Sequence, residues 1–117
     1  MEYMLLIYHN EEEAKARPEA EKQRIFQEFA AFTQDVMKSG HRKAGGPLDF
    51  TPTAATVRVR DGKTMVTDGP FAETKEQLGG YVLIKAKDLD EAISLAARIP
   101  SSKYGSTEVR PVIKIEM

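Results

Sequence analysis

Apolar residues run without a break from Tyr3 to Tyr8 (Tyr-Met-Leu-Leu-Ile-Tyr). The run is too short for a typical helix and predicts a strand buried on both faces. Asn10, followed by Glu13, has capping-box spacing for a short helical turn. Pro18 suits the first turn of a longer helix, where its missing N–H costs nothing. Ile25, Phe29, Phe32 and Val36 then recur at helical spacing, with Phe26, Ala30 and Met37 alongside. Gly40 is placed to end that helix as a left-handed cap. Residues 40–53 hold three glycines and two prolines and read as a loop. Thr56 to Arg60 alternates, Asp61-Gly62 is a two-residue hairpin signal, and Thr64 to Thr67 returns as the partner strand. Tyr81 to Ala86 predicts a further strand. Asp88 and Glu91 cap a second helix with a predicted buried face of Leu89, Ile93, Ala96 and Ala97, and Pro100 stops it. Val109, Pro111, Ile113 and Ile115 alternate with charged residues through Glu116 in a last strand, which Pro111 assigns to a sheet edge.

This order predicts an α+β chain on the ferredoxin-like split β-α-β plan, with an inserted hairpin and loop and two helices on one face of an antiparallel sheet. The other sheet face is then uncovered, although Tyr3–Tyr8 and Tyr81–Ile84 are apolar on both sides. A second copy packed sheet against sheet satisfies both conditions, so a homodimer is expected.

The chain's 117 residues are expected to form one domain, residues 1–117, large enough for one hydrophobic core. With 17 basic and 18 acidic residues spread along the chain and no basic stripe, nucleic-acid binding has no electrostatic support. No apolar run approaches the roughly 20 residues of a membrane helix, and no basic flank precedes the first apolar run as in a secretory signal. Cysteine is absent, which excludes disulfides, thiolate metal sites and cysteine nucleophiles. A cytoplasmic protein is expected.

The segment Asp68 to Tyr81 (Asp-Gly-Pro-Phe-Ala-Glu-Thr-Lys-Glu-Gln-Leu-Gly-Gly-Tyr) combines three glycines and a proline with Glu73, Lys75 and Glu76. Backbone-restricting residues around ionisable ones point to a shaped site. If Tyr3–Tyr8 and Tyr81–Ala86 are central neighbours, His9 and this segment share one end of the sheet. The start of the first helix is expected nearby, offering N–H groups to an anion. A carboxylate of tuned pKa, Glu73 or Asp68, would act as general acid or base, and Lys75 would stabilise a developing anion. His9, Phe71, Glu76 and Tyr81 are the candidate binding residues.

Each also has a structural reading. Asp68 before Gly-Pro suits an Asx turn, and Phe71 suits a plug under the loop. Glu73, Lys75 and Glu76 suit a solvated ion-pair network as well as a binding role. His9 suits a surface turn, and Glu11-Glu12-Glu13 a solvated helix start favoured by the macrodipole. No metal site is expected, since His9 would need carboxylates from distant segments. No cofactor is expected either: Gly45-Gly46 lacks the strand-to-helix context of a phosphate loop, and no nucleophile elbow occurs.

Asp68-Gly69-Pro70-Phe71, then Glu73, Lys75, Glu76 and Gly79-Gly80, resembles the DGPF-type branch of the YCII-related family. Tyr3–Tyr8, Gly45-Gly46, Thr56–Gly62, Ala96–Pro100 and Glu108–Pro111 are similar too, so the resemblance spans nearly the whole chain. It implies a dimeric α+β barrel. It also implies an association with extracytoplasmic-function sigma factors, beside whose genes such members are often encoded. Better-known members carry a His–Asp pair suited to acid–base work. Here the histidines are His9 and His41, neither with an evident sequence partner, and the pair is not carried over.

Two functions are therefore expected in competition. One is a small-molecule-binding protein, or an enzyme using carboxylate acid–base chemistry, acting on a small polar metabolite at Asp68–Tyr81. The other is a non-catalytic accessory protein for a sigma factor.

Overall fold

In the computed structural model, which describes residues 1–116, four antiparallel strands form one sheet with helices on one face. The chain runs β1 (Glu2–His9), α1 (Glu11–Ala16), α2 (Glu19–Lys38), β2 (Arg42–Pro47), β3 (Ala55–Arg60), β4 (Lys63–Asp68), β5 (Gln77–Lys85), α3 (Leu89–Ala97) and β6 (Ser106–Pro111). Short 3-10 turns occupy Thr51–Thr53 and Pro100–Lys103. The sheet order β2-β5-β1-β6 is the ferredoxin-like arrangement, and β3–β4 is a separate hairpin inserted before β5.

Tyr3, Leu5 and Ile7 of β1 and Val82 and Ile84 of β5 point under the helices and join Phe32, Val36, Ala92, Leu95, Ala96 and Ile99 in one core. Alternation sends Met4, Leu6, Tyr81 and Leu83 to the opposite face, where Met4 pairs with Leu83 and Leu6 with Tyr81. The two-sided apolar character of the central strands is therefore real, and one side lies outside the chain's own core.

Several local expectations hold for the reasons given. The Asn10 side chain accepts from the Glu13 N–H at 2.9 Å, and Asp88 does the same for Glu91. Gly40 takes φ +80° after α2. Asp61 and Gly62 both have positive φ, as a type I′ hairpin turn requires.

Others are corrected. The 40–53 stretch is not all loop, because Arg42–Pro47 pairs with β5 as an edge strand. Glycine is needed there for close approach: a Cβ on Gly45 would stand 2.8 Å from the Tyr81 carbonyl oxygen. The α3 face is rotated from the expected one. Ala92, Leu95 and Ala96 are buried, while Leu89 and Ile93 are about half exposed, so small residues set the approach of helix to sheet. The last strand ends at Pro111 rather than Glu116. Its neighbour β1 begins only at Glu2, whose carbonyl accepts the final bond from the Val112 N–H. β6 does occupy an edge.

Candidate functional site

Pairing of β1 with β5 brings His9 opposite Gln77. That pairing sets the end of β1 and the start of α1 beside the segment 69–76, which joins the hairpin to β5. β5 begins four residues before the expected Tyr81, so Gln77 to Tyr81 is strand and only 69–76 is connection. Its first residue, Gly69, has φ +90° and donates its N–H to the Ala54 carbonyl at 2.7 Å. The turn after the hairpin is thus made by Gly69, not by an Asp68 side-chain cap.

A cleft of about 430 Å³ opens between these segments, lined by Asn10, Glu11, Glu12, Thr51, Pro70, residues 72–75 and Gln77. Its walls are tied together. Asn10 Nδ2 donates to the Lys75 carbonyl at 3.3 Å, and Gln77 Oε1 accepts from the Glu11 N–H at 3.0 Å. Gln77 Nε2 in turn donates to the Thr74 carbonyl at 2.6 Å. Glu11 is buried, 6 % exposed, and its carboxylate accepts from both the N–H and the hydroxyl of Thr51 at 2.8 Å. Sequence reasoning placed Glu11 among solvated helix-start charges and missed this role. Thr51 lies 40 positions away, and no local spacing announces the contact.

The surroundings of the start of α1 disfavour the expected anion. The Glu13 and Glu11 N–H groups are taken by Asn10 and Gln77, the Ala14 N–H by the Asn10 carbonyl, and three glutamates fill the first turn. The lining instead carries Glu11, Glu12 and Glu73 against Lys75. It is rich in hydrogen-bond acceptors.

Glu73 and Lys75 both line the cleft. Glu76 turns away, and its carboxylate accepts from the Ser106 hydroxyl at 2.8 Å. Asp68 is exposed and ends β4, outside the lining. Phe71, 79 % exposed, neither plugs the core nor lines the cleft. Tyr81 sits within β5 opposite Leu6 and also lies outside the lining.

His9 stands behind the cleft. Its ring lies flat on the strand because Gly79 has no side chain; a Cβ there would meet His9 Nε2 at 2.5 Å. Gly79 is also where the β1–β5 register shifts. Burial holds the His9 imidazole below its ordinary pKa of 6.5; Glu11 and Glu76 oppose that shift and Arg17 adds to it. A histidine whose folded pKa is depressed lends stability that is complete above the unfolded value and is lost as pH falls through the folded one. Thermal melts of wild type between pH 7.5 and 5 should therefore show a loss that His9→Gln reduces; equal losses would contradict the buried neutral imidazole.

One further row of polar groups lies at the far end of the sheet. Ser39 Oγ is 2.7 Å from His41 Nδ1, and His41 Nε2 is 3.2 Å from Glu91 Oε1. Its order matches a nucleophile relay, but it sits at the C-terminal end of α2, whose carbonyls oppose an oxyanion. It ties the start of β2 to α3. Among the described residues no three His, Asp or Glu side chains converge as metal ligands, and no described helix is long and apolar enough to cross a membrane.

The model of the YCII-related domain matches residues 1–116. The chain belongs to the YCII-related family. An uncharacterised protein of Rhizobium meliloti (strain 1021) is 39 % identical over 114 residues, covering 96 % of this chain and 92 % of the relative. Among solved structures, the chain resembles 5-chloro-2-hydroxyhydroquinone dehydrochlorinase (TftG) from Burkholderia phenoliruptrix AC1100, in complex with 2,5-dihydroxybenzoquinone. The TM-score is 0.52 and the identity 18 %, with 97 % of this chain and 94 % of that chain covered. At that identity the likeness speaks for the α+β fold, which agrees with the sheet order found here.

Proposed function

We propose that this member of the YCII-related family binds a small polar metabolite in the cleft between Asn10–Glu12, Thr51 and the 70–77 segment, and does so as a homodimer. One observation carries the reading: Glu73 and Lys75, from a backbone-restricted segment, line a cleft of about 430 Å³ whose opposite wall is fixed by the buried Glu11–Thr51 contact. The excess of acceptors favours a ligand with hydroxyl or amine donors, and Lys75 offers one cationic contact to an electron-rich oxygen. If a reaction takes place, Glu73 is the acid–base group and Lys75 the stabiliser of developing negative charge.

The TftG structure holds 2,5-dihydroxybenzoquinone, a ligand of a size this cleft would accept. The dimer is supported by the Met4–Leu83 and Leu6–Tyr81 band on the open sheet face. We place small-molecule binding ahead of association with a sigma factor. The cleft is a feature of these residues, whereas the sigma-factor link rests on the family's gene neighbourhood.

For any compound that stabilises the protein in a thermal-shift screen, calorimetry should show Glu73→Gln and Lys75→Ala each weakening binding by at least about tenfold, the loss of one charged contact. Unchanged affinity in both variants would move the site elsewhere.

A further inference from the structure

The β3–β4 hairpin is the part of the molecule that its own fold leaves unexplained. Among the described residues it makes at most sparse contact with the other strands and helices, and every residue of β4 is exposed. The molecule measures 47 × 47 × 19 Å with a radius of gyration of 16.2 Å, against about 13 Å for a compact chain of this length. Yet the hairpin is not built as a solvated loop. Val57 pairs with Val66, and Val59 lies beside them on the same face; all three are about 60 % exposed. Arg58, Arg60 and Lys63 share the opposite face with Met65. An isolated two-stranded ribbon is only marginally stable in water, so this amphipathic one needs a surface to lie on.

At its foot the hairpin is held firmly. Gly69 N–H donates to the Ala54 carbonyl, and the Thr56 hydroxyl donates to the Gly69 carbonyl at 2.8 Å. Pro70 and residues 72–75 of the segment that follows line the cleft, and the exposed Phe71 between them stands outside the lining.

We propose that the hairpin is an arm that clasps a second copy of this chain through its Val57, Val59 and Val66 face, and that this embrace sets the 69–76 wall of the cleft. The proposal rests on the sheet-to-sheet dimer of the previous section and adds to it. Interface area favours a second copy as the occupant. Four strands of six to nine residues give the open sheet face a footprint of roughly 450 Å², little more than half the ~800 Å² per partner of a stable interface. An arm of six residues per strand covers roughly 200 Å² more. In a two-fold dimer each copy both gives and receives an arm, which brings the contact near the required size. The apolar face then continues the apolar band of the open sheet, and the basic face stays in water. The seated arm then steadies the hairpin end of a cleft wall whose other end is already held by the Asn10–Lys75 and Gln77–Thr74 bonds.

Because the chain has no cysteine, single nitroxide labels can be placed at will. In the assembled protein, a label at Val57→Cys should be several-fold less accessible to a soluble relaxing agent than one at Arg58→Cys on the opposite face; equal accessibility overturns the clasp. Independently, Val57→Lys with Val66→Glu should raise the dimer dissociation constant by about 1,000-fold, the loss of four buried valines, two from each copy, with an unchanged far-ultraviolet circular dichroism spectrum. Wild type dimeric and this variant equally so would overturn the arm alone. A wild type that stays monomeric at high micromolar concentration would overturn both the arm and the dimer beneath it.

Discussion

Glu11→Ala should lower the free energy of unfolding by about 3 kcal/mol, large for a residue at the start of a six-residue helix. Alanine is the better helix former, so propensity alone argues for a small gain. The contacts decide otherwise. The Glu11 carboxylate is buried and accepts two bonds at 2.8 Å from Thr51, and hydrogen bonds to a charged acceptor contribute about 1.5–3 kcal/mol each. Its removal strands the Thr51 N–H and hydroxyl and releases the segment before β3 from the start of α1. Glu11→Gln keeps one acceptor and should cost less. Urea denaturation of the three proteins checks this, and a Glu11→Ala loss within about 0.5 kcal/mol would mean that the Thr51 contact is not a structural tie.

Gly105→Ala should do at least as much damage, about 3 kcal/mol or more. A Cβ at Gly105 would be driven into the Tyr8 carbonyl oxygen and crowd the Ser101 carbonyl oxygen and His9 Cα. These neighbours are backbone or directly attached to it. Tyr8 is also held between Leu78 and Ser106 in the sheet, so β1 would have to move to admit the methyl group. Gly79→Ala makes a useful contrast. There the added atom meets the imidazole of His9, a side chain that can swing aside. That variant should keep the fold and expose His9, returning its pKa toward 6.5 in an NMR titration. Equal stability losses from the two variants would contradict the distinction between backbone and side-chain obstruction.

These two glycines show what was legible in the sequence and what was not. The strands β1 and β5, the helix caps at Asn10 and Asp88, the Asp61-Gly62 turn and the sheet order all followed from periodicity and turn chemistry, which act over a few residues. The strand β2 did not, because Gly45 reads locally as a loop signal; its purpose is close approach to Tyr81, a partner that appears only once the chain is folded. The α3 face was misjudged for a similar reason, since alanines packed on a sheet carry little signal beside exposed Leu89 and Ile93.

At the candidate site, the segment around Glu73 and Lys75 was visible as charge within restricted backbone, and the cleft is there. Phe71 suits either a binding residue or a plug by its type, and its exposure follows only from the hairpin beside it standing clear of the core. Glu11 was hidden among three successive glutamates, and only the approach of Thr51 separates it from its neighbours.

The most direct test is a two-dimensional ¹H–¹⁵N spectrum of the labelled protein, recorded against a library of small polar compounds carrying hydroxyl and amine groups. At least one compound should perturb amides of residues 10–12, 51 and 70–77 as a contiguous set, and the same compound should leave those amides unmoved in Glu73→Gln. Perturbations confined to another region, or none from any compound in a folded and dimeric sample, would contradict a small-molecule site in this cleft.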